Sequence, residues 1–399
     1  METVIIYASI WLLVNKKSIS TVVFIQMSGI KTNQGTGGGL VFNELLAKSL
    51  IKKGIDVYAI TNPFDLYGFE FLGERRYVAK FMGAVSFPLN WFIFNRKKLR
   101  DEISLIVAKL PEDSIYVTID AFPPDIYAAK ILKKLGKKII ITMYHITPSP
   151  IFHPIRRGVF RSLIAWLISL NALFFIKFFN VPFFLDNKRI AKKLGWNFKD
   201  NLMEMPLSLP KYFNIKNNEL GKCVCFVGRL SKSKVISDLI KSWRIVVDKV
   251  PESRLYIIGA DSSNGMYKRM IQKYKLQDSI IITGFLSYEE KMELMHKCSI
   301  FTFPSYEEGW ALAVMEAIDM GLLPIVYDLP AYDYICTNQI KVKISDRRKL
   351  AFSTIHYLLN DNERLHLVEK LQNCILHYTE EVVINKWLDQ VNKKFYRLI

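Results

Sequence analysis

From about residue 20 onward, short runs of β-branched and aromatic residues alternate with longer stretches of helical period, and no other feature narrows the fold as far. When a helix follows each strand, it carries the chain back to the edge where the strand began. Successive strands therefore pair in parallel, and helices cover the sheet faces. In the first half the apolar runs are Val22–Met27, Asp56–Ile60, Ile115–Ile119, Lys138–Tyr144 and Phe179–Leu185. In the second they are Cys223–Val227, Arg254–Ile258, Ser279–Thr283, Ser299–Phe303 and Leu323–Tyr327. Between the halves, Met205–Lys222 carries two prolines, three asparagines and no sustained period, as a linker does. A length of 399 residues suits two α/β domains rather than one core. The expected organisation is a Rossmann-like domain over residues 1–208, with residues 1–20 an extra N-terminal segment, a second Rossmann-like domain over 209–379, and a helix over 380–399. That helix carries its apolar stripe at Val383, Trp387, Val391 and Phe395 and is expected to pack back on the first domain.

Charge is unevenly distributed along this pattern. The net +18 divides into 28 Lys/Arg against 15 Asp/Glu in residues 1–208 and 27 against 22 in the rest, so the first half is strongly basic. A basic surface suits a phosphorylated ligand, an anionic membrane or nucleic acid. No nucleic-acid motif and no aromatic-basic repeat is present, which argues against nucleic acid. The stretch Thr3–Val14 is apolar but too short to span a bilayer, and it follows Glu2 rather than a basic region, so it fits neither a spanning helix nor a signal peptide. A second apolar run, Ser162–Leu185, is interrupted by Lys177, Asn180 and Pro182 and reads as a helix followed by a buried strand. The five cysteines lie in the second half without CxxC or Cys/His spacing, which points to reduced thiols and a cytoplasmic location.

The segment with most chemistry is Pro304-Ser305-Tyr306-Glu307-Glu308-Gly309-Trp310-Ala311-Leu312-Ala313-Val314-Met315-Glu316-Ala317. A strand ends at Pro304, a glycine turn follows, and Ala311–Ile318 reads as a helix. Its first amides, near Gly309, Trp310, Ala311 and Leu312, lack helical partners and point beyond the strand ends, ready for phosphate oxygens. Glu308 and Glu316 lie eight residues apart, about 12 Å if the segment were all helix, which is roughly the span from a ribose to the sugar beyond a diphosphate. Carboxylates bind hydroxyls and repel phosphate, so acids at both ends with bare amides between them suit a nucleotide sugar. A second loop, Gly228-Arg229-Leu230-Ser231-Lys232-Ser233-Lys234, places Arg229 and Lys234 five residues apart after the first strand of the second half, spaced to clamp a diphosphate. Near the N-terminus, Gly35-Thr36-Gly37-Gly38-Gly39 lets backbone amides approach an anion. Leu40 stands where GxGxxG needs its third glycine and no acid ends the next strand, so a dinucleotide site is disfavoured. His145 follows the run ending at Tyr144, at the carboxyl end of a strand where α/β crevices form. No DxD or His/Asp cluster calls for a metal.

The Glu308–Glu316 segment resembles the E-x7-E motif of the retaining glycosyltransferases of family GT4, and the resemblance extends over nearly the whole chain from about residue 20. It implies the GT-B fold, two Rossmann-like domains facing across a cleft, with the acceptor on the first domain and the nucleotide sugar on the second. It also implies ribose binding by Glu316 and a place beside the donor sugar for Glu308. Arg229 and Lys234 would contact the diphosphate, Gly37 and Gly38 would form the family's glycine loop, and His145 would lie near the reacting carbon. Thr283-Gly284-Phe285-Leu286-Ser287 matches a loop whose backbone reads the base. Val235 stands where the family has glycine. The reaction implied is transfer of a sugar, with retention, from a UDP- or GDP-sugar to an acceptor hydroxyl, with no cofactor required. The basic first half, and Phe87–Phe94 running into Arg96, Lys97, Lys98 and Arg100, direct expectation to a glycan or lipid-linked acceptor and peripheral contact with an anionic membrane on its cytoplasmic face. Two rivals remain open: a nucleotide-sugar epimerase of GT-B-like fold, and a catalytically dead basic membrane-binding protein.

Overall fold

The structure is a computed structural model that describes residues 19–28, 38–65, 68–80, 95–144, 159–185, 202–204, 221–261, 263–306, 308–332 and 335–396. Two parallel sheets organise them. The first runs β1 (Thr21–Gln26), β2 (Asp56–Thr61), β3 (Arg76–Val78), β4 (Ile115–Thr118), β5 (Lys138–Met143), β6 (Phe183–Leu185) and β7 (Leu202–Glu204) in spatial order β3-β2-β1-β4-β5-β6-β7. The second comprises β8 (Cys223–Val227), β9 (Arg254–Ile258), β10 (Ile280–Gly284), β11 (Ile300–Phe303), β12 (Leu323–Tyr327) and β13 (Lys341–Val342) in order β10-β9-β8-β11-β12-β13. Val22, Val23, Phe24 and Ile25 of the central β1 are wholly buried, as expected of a strand covered on both faces.

Helices α1 (Gly38–Lys52), α2 (Arg96–Val107), α3 (Pro123–Lys134) and α4 (Val159–Phe178) accompany the first sheet. Local chemistry sets their starts: the Asn95 side chain caps α2 by accepting from Lys98 N at 2.9 Å, and α3 opens on Pro123-Pro124. With the second sheet lie α5 (Ile236–Lys249), α6 (Met266–Lys273), α7 (Tyr288–His296), α8 (Leu312–Asp319), α9 (Arg347–Leu359) and α10 (Asp361–Ile375). The last helix, α11 (Glu380–Phe395), contacts elements of the first sheet. Trp387 stacks on Phe184 of β6 with centroids 6.0 Å apart, Glu380 lies 3.6 Å from Lys52 of α1, and Tyr396 just beyond α11 donates to the Asp113 carboxylate at 3.1 Å.

Several sequence expectations shift in the structure. The strand expected over Phe179–Leu185 is confined to Phe183–Leu185, because α4 continues through Phe178. The edge strands β3, β7 and β13, two or three residues long, carried no visible period. The fold brings Cys223 beside Cys298 and Cys336 beside Cys374, pairs that no spacing in the sequence marked. Sequence separations of 75 and 38 conceal Cα–Cα distances of 4.5 and 6.2 Å, within bonding range. Cys225 is free and buried, and burial raises its thiol pKa.

Candidate active site

In each sheet the strand order reverses once, between β1 and β4 in the first and between β8 and β11 in the second. At such a reversal the neighbouring connections leave on opposite faces and open a crevice beyond the carboxyl ends. The Arg229–Lys234 loop leaves β8 and the Glu308–Glu316 segment leaves β11, so both motifs border the second crevice.

The two loops are bonded together. Tyr306 N donates to Ser233 O at 2.9 Å, and the Ser305 hydroxyl to the same carbonyl at 3.3 Å. Lys234, in the one-turn helix Lys232–Lys234, pairs with Glu308 from 74 residues away, and its ammonium lies 4.6 Å from the centre of the Phe303 ring. Both charged side chains are mostly buried, which strengthens their attraction relative to an exposed pair. Arg229 is exposed at the rim. Gly259 fixes the adjoining loop: a Cβ there would collide with the Gly228 carbonyl, while Gly228 N donates to Ile258 O at 2.9 Å.

The helix bearing Glu316 runs over Leu312–Asp319, one residue on from the Ala311–Ile318 read from the sequence. Ala311 adopts a left-handed conformation (φ 53°, ψ 63°) immediately before α8, so Glu308, Gly309 and Trp310 form the expected turn ahead of the helix. Ala311 provides no side-chain cap, which leaves the first amides of α8 for another acceptor. Trp310 turns inward, donating to Met315 Sδ at 2.7 Å and packing edge-on against Tyr378 at 5.2 Å, so only its backbone faces the loop's ligand side. Val235, in the position noted above as glycine in relatives, is left-handed as well (φ 48°, ψ 44°) and buried. A β-branched residue pays about 1–2 kcal/mol for that conformation. Strained backbone thus occurs on both loops of the crevice.

The structure adds partners that the sequence did not reveal. Lys291 of α7 pairs with Glu316 at 3.1 Å and lies 4.8 Å from the centre of the Tyr288 ring. Its only sequence signal was a lysine in the helix that Ser287 and Glu290 cap reciprocally. Asp238 of α5 accepts from Tyr306 at 2.9 Å and from Tyr327 at 3.0 Å, anchoring the start of the motif. Burial next to Asp238 pushes the Tyr327 hydroxyl pKa upward. Gly284 is left-handed (φ 78°), Phe285 after it is half exposed, and Leu286 is partly buried.

At the first crevice, Gly38 and Gly39 open α1, and a Cβ on Gly39 would meet the Tyr144 ring at 2.5 Å. Asn43 of α1 also bonds the Tyr144 hydroxyl. The glycine loop and the tip of β5 are therefore in contact. Gly37 and His145, the neighbours of these residues, lie outside the described residues, as do Phe87–Phe94 and Thr3–Val14. Asp125 is fully buried, accepts from Met27 N at 2.8 Å and bonds Ser28, and burial raises its carboxyl to about 6. Asp120, at the tip of β4, keeps some solvent contact although protein surrounds it on most sides. Burial, then repulsion from Asp125, lifts it to about 8. Among the described residues no cluster of three His, Cys, Asp or Glu side chains forms a metal site.

This architecture is that of GT-B enzymes. The chain superposes on a point variant of S. aureus TarM, in complex with Fondaparinux, alpha-GlcNAc-glycerol and UDP, with TM-score 0.71 and 11% identity over 94% of this chain and 100% of that one. Residues 211–373 match the family model of glycosyl transferases group 1. Poly(glycerol-phosphate) alpha-glucosyltransferase of Bacillus subtilis (strain 168) is 25% identical over 179 residues, 45% of this chain and 25% of that protein. GDP-mannose:cellobiosyl-diphosphopolyprenol alpha-mannosyltransferase of Xanthomonas oryzae pv. oryzae is 25% identical over 151 residues, 37% of this chain and 40% of that protein. The matched stretches thus span less than half of either relative.

Proposed function

We propose that this chain is a retaining glycosyltransferase that moves a sugar from a UDP- or GDP-sugar to a hydroxyl of a lipid-linked glycan at the cytoplasmic face of a membrane. The observation that carries the reading is the junction of Lys234 and Glu308 at the second sheet's strand reversal, beside the uncapped start of α8. A carboxylate at each end, bare amides between them and a cation at the Glu308 end match a diphosphate between two sugars.

In this reading Glu316, held by Lys291, accepts from the ribose hydroxyls, while the loop Thr283–Ser287, with Phe285 and Leu286, takes the base. Lys234, Arg229 and the amides of Gly309 to Leu312 hold the diphosphate and balance its charge as it leaves. Glu308 orients the donor sugar; its bond to Lys234 suits holding rather than nucleophilic attack. The acceptor oxygen bonds to the anomeric carbon on the face the diphosphate is leaving, and the hydroxyl proton passes to the departing diphosphate oxygen. By the family resemblance, Gly37 and Gly38 supply the first domain's glycine loop and His145 is the residue assigned to the reacting carbon. The UDP with TarM and the GDP-mannose and diphosphopolyprenol in the Xanthomonas enzyme's name support the donor and acceptor classes. Thermal-shift screening of UDP- and GDP-sugars tests the donor: stabilisation by one of them is expected. Product analysis with that donor then separates transfer, which needs an acceptor, from epimerisation, which does not.

A further inference from the structure

Helix α4 is apolar on nearly every side, although only one side is covered. Its inner face sends Ala172, Leu173, Phe175 and Ile176 into the core of the first domain. Its outer face exposes Leu163 (38%), Leu167 (51%), Phe174 (63%) and Phe178 (71%). At 100° per residue these four fall within an arc of about 60°, a single stripe along the helix. The Phe174 and Phe178 rings stack at 5.9 Å, and Phe178 meets Phe179 edge-on at 5.0 Å. Alongside the stripe, Pro123 of α3 with Ile164, Leu167, Ile168 and Asn171 lines an apolar groove of about 390 Å³. Soluble monomers rarely leave a contiguous apolar stripe uncovered. None of the described helices is long and apolar enough to cross a membrane, and the buried inner face commits α4 to its own domain.

Charge identifies the partner. Residues 126–185 contain nine Lys/Arg and no Asp/Glu. Lys130 of α3 lies 5.6 Å from the centre of the Phe175 ring of α4, and Lys177 is exposed on α4 itself, so cations border the helix that carries the apolar stripe. An apolar helix face carried by a chain segment rich in cations and without acids is the pattern of a segment lying in the plane of a bilayer interface.

We propose that the outer face of α4 docks on an anionic lipid bilayer, with Leu163, Leu167, Phe174 and Phe178 entering the acyl boundary and the surrounding cations at the headgroups. The proposal rests on the lipid-linked acceptor reading for its purpose and on α4 for its evidence. Docked in this way, the first domain meets its acceptor at the surface where such a lipid resides.

Co-sedimentation with phosphatidylcholine vesicles, alone or with roughly a third phosphatidylglycerol, tests it directly. The wild type is expected to pellet with the anionic vesicles and to be released as salt rises. Phe174→Ser/Phe178→Ser and, independently, Leu163→Ser/Leu167→Ser should each weaken that partition roughly ten-fold or more. Phe352→Ser/Leu359→Ser, at equally exposed apolar positions on α9 (54% and 55%), should leave it unchanged. The proposal is overturned if the wild type stays in the supernatant at low salt or if both stripe variants pellet like the wild type. It is also overturned if light scattering shows that the stripe instead holds two copies together. Vesicle binding without stabilisation by any nucleotide sugar would keep the docking surface and remove the transferase reading; stabilisation without vesicle binding would do the reverse.

Discussion

Asp238 tests whether the Glu308 loop is held in place from beneath. Its carboxylate accepts from Tyr306 at 2.9 Å and Tyr327 at 3.0 Å, and it lies in the first turn of α5, where a negative charge suits the helix dipole. Asp238→Ala removes two hydrogen bonds to a charged acceptor, each about 1.5–3 kcal/mol. Tyr306 keeps a contact with the Ser345 hydroxyl at 3.0 Å, while Tyr327, fully buried, loses its Asp238 acceptor. Releasing a desolvated carboxylate returns part of the loss, so the net destabilisation should be about 2–4 kcal/mol. Urea unfolding followed by circular dichroism measures it, with Asp238→Asn, which keeps one acceptor oxygen, expected near half. Because Tyr306 lies two residues before Glu308 and its amide is tied to Ser233, donor affinity should fall as well. A loss below about 0.5 kcal/mol in Asp238→Ala, with unchanged m-value, would refute the anchoring argument.

Three further outcomes follow from the same geometry. Lys234→Ala and Arg229→Ala should lower turnover more than Lys232→Ala; equal losses at all three would indicate general electrostatics instead of a clamp. Activity should survive EDTA, and complete loss restored by Mg²⁺ or Mn²⁺ would overturn the metal-free reading. Asp120 and Asp125 bind protons more tightly folded than unfolded. Their contribution to stability is therefore complete below the ordinary Asp value of 3.8 and is lost as pH rises through about 6 for Asp125 and about 8 for Asp120. Asp120→Asn should raise the melting temperature at about pH 9 and change little near pH 4, and an equal shift at both would contradict that origin.

The two-sheet plan was legible because strands such as Cys223–Val227, Arg254–Ile258 and Leu323–Tyr327 are long, β-branched and bounded by turn residues. The edge strands β3, β7 and β13 were not, since two or three residues cannot display a period of two. The motif segment was readable as chemistry, but the break before α8 depends on the left-handed Ala311, for which the residue type gives no signal. Val235 was the opposite case: glycine was missing where the chain needs positive φ, so the departure itself marked the position. Lys291 and Asp238 escaped notice because their partners lie 25, 68 and 89 residues away and only folding brings them together. In α4 the apolar run was legible as a helix, but the outward stripe of Leu163, Leu167, Phe174 and Phe178 was not.

Isothermal titration of the stabilising nucleotide sugar against wild type and Glu316→Ala is the most direct measurement of the central claim. The ribose hydrogen bonds assigned to Glu316 are worth about 1–3 kcal/mol each, so the wild type should bind and the variant should bind at least ~10-fold more weakly at unchanged stoichiometry. Equal affinity in the two proteins would contradict the assignment of this crevice to the donor, and so would a wild type that binds no nucleoside diphosphate sugar.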